Sequence, residues 1–171
     1  MEEAPFEEGM PTTDGWFIVN VADARWKQRD PYGKFCPFES PDHRFPHFGI
    51  NIHVLEPGQA ACHYHRESEQ ESFLVLSGEA KVIIENQERS LKQWDFVHCP
   101  PETNHLFVGA GTGPCAILMV GHRSGDTKLF YEVNELAAKY GGSSQVDTPD
   151  PRVSYGRGDP PETIEAPWPA E

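Results

Sequence analysis

From Gly49 onward the chain is cut by turn residues before any segment can lengthen into a helix. Glu56-Pro57-Gly58, Ser77-Gly78, Asn86-Gln87, Pro100-Pro101 and the GAGTG run at 109–113 stand between short stretches rich in β-branched and aromatic residues. That grammar predicts strands at Gly49–Leu55, Glu71–Leu76, Glu79–Glu85, Glu88–Lys92, Trp94–His98, His105–Val108, Pro114–Val120 and Thr127–Tyr131, with a short extended piece at Cys62–His65. Asn86 tolerates the left-handed backbone that a tight hairpin turn requires. Short strands at regular spacing make an all-β sandwich or small barrel. The 15 glycines and 16 prolines among 171 residues fit a turn-rich β protein.

The flanks read differently. Residues 1–14 are acidic and aperiodic and are expected to form a loose arm. Gly15–Ala22 alternates like a strand, and the four prolines of residues 30–48 predict a long loop or lid. One short helix is expected over residues 134–141, capped by Asn134 and stopped by Gly141. Beyond it, residues 142–171 are polar and proline-rich and read as an extended tail. The domain proper is thus expected at residues 15–133.

Charge narrows the function classes. Lys and Arg number 14 against 27 Asp and Glu, a formal net charge of −13. Such a chain is a poor partner for nucleic acid or an anionic membrane surface. No apolar run is long enough to span a bilayer, and MEEAPFEEGM lacks the basic start and apolar middle of a secretory signal. The expected compartment is the cytoplasm, where Cys36, Cys62, Cys99 and Cys115 would be reduced thiols.

The chemistry gathers in CHYHRESEQESFLVLSGE. Alternate residues of a strand share a face, so His63 and His65 would point one way, and Cys62 and Tyr64 the other. Glu71 opens the next strand and His105 a later one. Three imidazoles and a carboxylate converging in a barrel would hold a divalent first-row metal. By the parity of Glu71, Phe73 and Val75 would line the interior.

PGQAACHYHRESEQESFLVLSG resembles the first motif of the cupin superfamily: Gly58, the pair His63 and His65, then Glu71 seven residues before Gly78. WDFVHCPPETNHLFVG resembles the second motif through Asp95, Pro100, Pro101 and His105. The resemblance covers residues 49–121. It implies a small single-domain cupin of type 2, with a double-stranded β-helix (jelly-roll) barrel, one short C-terminal helix and extended termini. It also implies a metal held by His63, His65, Glu71 and His105, the metal being Fe, Mn, Ni or Zn. The gap from His65 to Glu71 is one residue longer than the common form, which makes Glu67 and Glu69 competitors. Glu71 is preferred for its distance to Gly78. Trp94 and Glu102 stand where the second motif has Gly, and Gly109 where it has Asn.

Three neutral imidazoles and one carboxylate around a divalent ion leave a local charge of +1, which favours a small anionic or oxygen-rich ligand. The expected function is a metal-dependent enzyme on an anionic or hydroxylated metabolite, with dioxygenase chemistry ahead of isomerase, epimerase or decarboxylase chemistry. The alternative is a non-catalytic, metal-assisted binding or sensing module. Tyr32, His43, His47 and His98 are the acid–base candidates. The remaining expectation is a homodimer, formed through the N-terminal strand Trp16–Ala22.

Overall fold

The computed structural model describes residues 1–167. Fourteen short strands and two short helices make up its regular structure. In chain order the strands are β1 Phe6–Glu7, β2 Met10–Pro11, β3 Trp26–Gln28, β4 Lys34–Pro37, β5 Phe48–Leu55, β6 His65–Glu67, β7 Glu71–Ser77 and β8 Glu79–Ile84. They continue as β9 Gln87–Lys92, β10 Phe96–Cys99, β11 His105–Ala110, β12 Cys115–His122, β13 Leu129–Tyr131 and β14 Glu162–Ile164. The helices are α1 Glu135–Ala138 and α2 Pro151–Tyr155.

The strands form two facing sheets of the jelly-roll barrel. One has the order β10-β7-β12-β5-β4-β3-β14, the other β13-β6-β11-β8-β9. Every named pairing is antiparallel. Period-two alternation divides their apolar residues into three layers. Phe73, Val75, Val82, Phe107 and Ile117 fill the interior between the sheets. Ile83, Leu106 and Val108, of opposite parity on β8 and β11, pack outward with Tyr64 against Ala137 of α1. Ile52, Val54, Ala116 and Leu76 pack outward from the other sheet around Trp26, which is fully buried and donates its indole N–H to the Val21 carbonyl at 2.9 Å. Burying a side chain of that size stabilises the layer by about 3 kcal/mol. The interior placement of Phe73 and Val75 follows the parity read from ESFLVL.

The segment that resembles the second cupin motif has Trp94 and Glu102 in place of the usual glycines, at a backbone cost. Trp94 has φ 73° and Glu102 φ 66°, the left-handed region that glycine enters without penalty. Gly109, by contrast, answers a close approach. A Cβ there would lie 2.2 Å from the Glu56 carbonyl oxygen, because the 56–59 turn bonds directly to β11.

Several expectations for the flanks need correction. Residues 1–14 are not a loose arm: β1 and β2 form a hairpin that buries Ala4 and Met10. Residues 17–20 are in no strand, and Val21–Asp23 is a 3-10 turn whose N-cap Asn20 accepts from the Ala22 N–H. That local bond offers the backbone an alternative to a sheet ladder. The 30–48 segment contains β4, which pairs with β5. The single helix expected at 134–141 is one turn, α1, with Asn134 as its cap. A second helix, α2, starts inside the supposed extended tail, with Pro151 in its first turn and Asp150 as N-cap. β14 then returns to pair with β3. The tail's last residues, 168–171, lie outside the described residues.

Candidate metal centre and adjoining chamber

Strand register brings two imidazoles together. His105, the first residue of β11, pairs directly with His65, the first residue of β6, and their ring centroids lie 5.0 Å apart. Glu71, the first residue of β7, reaches across from the other sheet, with its Oε2 3.3 Å from His105 Nε2. Ligand atoms of His65, Glu71 and His105 all lie within 4.8 Å of one another. Phe73 packs beneath, 5.1 Å from the His105 ring and 4.4 Å from Phe107.

The hydrogen bonds fix which imidazole nitrogens face inward. His65 Nδ1 lies 2.8 Å from the His63 carbonyl, and His105 Nδ1 lies 3.0 Å from the Thr103 carbonyl. A carbonyl oxygen can only accept, so both Nδ1 atoms carry the hydrogen, and each Nε2 presents a lone pair when its imidazole is neutral. Two lone pairs then converge on a carboxylate with no donor between them. Such an arrangement calls for a proton or a cation, and backbone-anchored imidazoles of this kind are how proteins orient histidine ligands. The donor set therefore fits a divalent metal.

Electrostatics agree. Burial pushes the Glu71 carboxyl up to about 7, helped by the nearby Glu67 charge. Burial pushes His105 down to about 3, and the neighbouring His65 adds to it. Burial opposes charging His65, but Cys62, Glu67 and Glu71 outweigh it and hold its pKa well above the usual value. Without a cation, the cluster keeps a proton that a metal would displace.

Of the four ligands that the resemblance implies, the structure brings His65, Glu71 and His105 together, and His63 lies outside this cluster. β6 begins only at His65, so strand alternation does not extend back to His63. Its imidazole turns aside: Nε2 lies 2.7 Å from the Tyr32 hydroxyl, Nδ1 2.7 Å from Ser154 Oγ, and the ring stacks on Tyr155 at 4.3 Å. Cys62 was expected to point away from the site, yet its Sγ lies 3.7 Å from His65 Nδ1. Of the acid–base candidates, only Tyr32 lines a cavity beside the cluster. His43 pairs with Asp14 at 3.0 Å, His47 is exposed, and His98 is exposed with its Nδ1 3.3 Å from Ser72 Oγ. Glu69 is occupied by His122 and Ser124 at 2.6 and 2.5 Å.

The cavity is a chamber of about 320 Å³ lined in part by Arg29, Tyr32, Asn51, His53, Cys62 and Tyr155. Asn51 also lines a second cavity, which exposes Glu67 and Glu71, so it sits at the junction of the two. Asn51 Oδ1 and His53 Nδ1 are buried without a hydrogen-bond partner among the described residues. Burial pushes His53 down to about 4, so it is neutral at pH 7, and it stacks on Phe35 at 5.6 Å. The Arg29 guanidinium lies 5.0 Å over the Tyr155 ring, and no carboxylate of the described residues pairs with it. Sequence reasoning missed Asn51 and His53, although their shared parity on β5 was a signal.

These features define a β-barrel with a histidine–carboxylate centre in its interior. The family model described as Cupin domain matches residues 51–121, the stretch that holds His65, Glu71 and His105. No curated protein matches the chain. Among solved structures it resembles a protein of Acidithiobacillus ferrooxidans provisionally assigned as a sugar phosphate isomerase, at 27% identity, with 58% of this chain and 65% of that one covered and a TM-score of 0.51. It also resembles a sugar phosphate isomerase of the cupin superfamily from Silicibacter pomeroyi, at 25% identity, 57% and 65% coverage and a TM-score of 0.50. The chain thus spans 65% of the length of each of these two. A Cupin 2 conserved barrel domain protein from Salinispora arenicola, at 19% identity, 66% and 92% coverage and a TM-score of 0.51, shares the fold. No helix among the described residues is long and apolar enough to cross a membrane.

Proposed function

We propose that the protein is a metal-dependent enzyme that isomerises a small, hydroxylated, anionic metabolite of the sugar phosphate class. One observation carries this reading: a polar chamber with two unsatisfied buried groups, Asn51 Oδ1 and His53 Nδ1, adjoins the His65–Glu71–His105 cluster. Buried polar atoms without partners are costly, and a ligand's hydroxyls would satisfy them. The two isomerase structures above add support. For that reason isomerisation is placed ahead of the dioxygenase chemistry favoured by the sequence.

A divalent ion held by His65, Glu71 and His105 would supply Lewis-acid polarisation of a carbonyl or hydroxyl oxygen. The chain's own residues do the rest. Arg29 draws the anionic end of the ligand to the chamber mouth. Asn51 and His53 orient its oxygens. The Tyr32 hydroxyl, backed by His63 Nε2 at 2.7 Å, is the proton-handling group facing the ligand. Ser154 Oγ holds the other His63 nitrogen, so α2 fixes the ring that serves Tyr32.

The reading extends to a homodimer in the cytoplasm, with residues 15–133 as the barrel domain. All four cysteines are free, as a reducing compartment requires. The test is to load metal-stripped protein with Mn(II) and incubate it with a panel of aldose and ketose phosphates in D2O. Solvent deuterium should appear beside the carbonyl carbon by NMR, with no dioxygen uptake at an oxygen electrode. Dioxygen consumption would favour the oxygenase reading, and saturable binding without exchange would favour the binding module.

A further inference from the structure

We infer that the C-terminal strap, residues 150–164, completes a phosphate seat at the chamber mouth, with Arg29 as its inner cation and Arg157 as its outer one. The inference rests on the reading above and names the ligand's anionic group as a phosphate monoester. The strap lies beyond residues 51–121, the stretch that the family model matches. It is fixed at both ends. At one, Ser154 Oγ lies 2.7 Å from His63 Nδ1, and the Tyr155 hydroxyl accepts the His63 backbone N–H at 2.9 Å. At the other, β14 pairs with β3 as Glu162↔Gln28, Thr163↔Lys27 and Ile164↔Trp26. The next position of that register sets Pro161 opposite Arg29, and a proline has no N–H to continue the ladder. The strap therefore turns away at Arg29. Tyr155 and Pro161, on either side of the turn, both line the chamber.

Arg29 is half-buried beside this turn. Its guanidinium lies 5.0 Å over the Tyr155 ring, and such stacking holds the planar fork in one orientation. Gly158 passes close by: a Cβ there would stand 3.8 Å from Arg29 Nη2. With glycine at that point, no side chain of the crossing residue covers the guanidinium. Arg157, the preceding residue, is exposed, and neither arginine has an ion-pair partner among the described residues. The local carboxylates leave the place open. Asp30 accepts from the Gln28 side-chain amide at 2.9 Å, Asp150 is held by Arg152, and Asp159 forms no ion pair among the described residues. Two guanidinium groups flanking one turn repel until an anion stands between them. Their forked donors match phosphate oxygens two at a time, and a pair of them suits a dianion better than a single carboxylate. A phosphate seated there leaves the rest of the chamber, with Asn51 and His53, for the hydroxylated part of the ligand.

The probe is inorganic phosphate, titrated by calorimetry into chelator-stripped full-length protein at pH 7.5 and low salt, so that no metal offers a rival anion site. One phosphate per chain is expected, with acetate bound at least tenfold more weakly. Arg157→Gln should weaken phosphate at least fivefold and Arg29→Gln at least tenfold. Arg29→Lys, which keeps the charge but loses the fork, should still lose at least threefold. Arg152→Gln, on the same strap but paired with Asp150 at 2.8 Å, should stay within about twofold. Arg157 is exposed, so its substitution does not threaten folding. Parent-like phosphate affinity in Arg157→Gln and Arg29→Gln, an equal loss in Arg152→Gln, or acetate bound as tightly as phosphate would overturn the inference. The isomerase reading is separable. If both variants lose phosphate while the metal-loaded parent exchanges no deuterium into sugar phosphates, the seat stands and that reading falls. If the parent exchanges deuterium and both variants do so at unchanged KM, that reading stands and the seat falls.

Discussion

His53 provides a stability test that needs no substrate. Burial lowers its pKa to about 4, against about 6.5 for an unfolded chain. As the pH falls below 6.5, the unfolded state takes up a proton that the native state refuses until about pH 4. The stability contributed by neutral His53 is therefore intact above pH 6.5 and is lost as the pH falls towards 4. At about 1.4 kcal/mol per pH unit, the full loss is about 3 kcal/mol. Part of the ring reaches the chamber, where water relieves some of the penalty, so about 3 kcal/mol is the upper value. Other groups titrate in the same range. His105 has the same sign. Glu71, raised to about 7, has the opposite sign, because its native state holds a proton that the unfolded state releases between pH 4.5 and 7. The comparison of the parent with His53→Gln isolates the one imidazole. Urea unfolding of both proteins from pH 7.5 to 4 should show the parent losing about 2–3 kcal/mol more than the variant, or roughly 1–2 M in midpoint. A pH-independent difference would refute a buried neutral imidazole at the chamber wall.

Gly109→Ala should lower stability by about 1–3 kcal/mol and the melting temperature by roughly 5 °C, since its Cβ would press on the Glu56 carbonyl at 2.2 Å. An unchanged melting curve would contradict the close approach of the 56–59 turn. Trp94→Gly should raise stability by about 1 kcal/mol in the same assay, because Trp94 holds φ 73° while 67% exposed and so loses little packing on removal. A loss would mean that its indole packs on something of value. Light scattering should give about twice 19.2 kDa for the proposed homodimer. The exposed Trp94 and Phe96 beside the edge strand β10 offer it an apolar edge, and a mass near 19.2 kDa would refute it.

Much of the barrel was legible because its signals are local. Turn residues set the strand ends, and alternation set the faces of β7, with Glu71, Phe73 and Val75 inward. His65, Glu71 and His105 could be found because each begins a strand. His63 lies apart from them because alternation holds only inside a strand, and the sequence does not reveal that β6 starts two residues later. Its true partners, Ser154 and Tyr155, lie 91 and 92 residues away, beyond any local pattern. β5 shows a subtler limit. GINIHVL alternates, with Asn51 and His53 on one face and Ile52 and Val54 on the other. The usual inference turns the polar face to solvent. Here the apolar face packs outward beneath Trp26, and the polar face lines the interior chamber.

The central claim is a metal bound inside the barrel by His65, Glu71 and His105 and not by His63. Elemental analysis tests it directly, on protein purified without chelator or affinity metal. About one transition-metal ion per chain is expected in the parent and in His63→Gln, and a small fraction of that in His105→Ala. A full complement of metal in folded His105→Ala, or an empty His63→Gln, would contradict it.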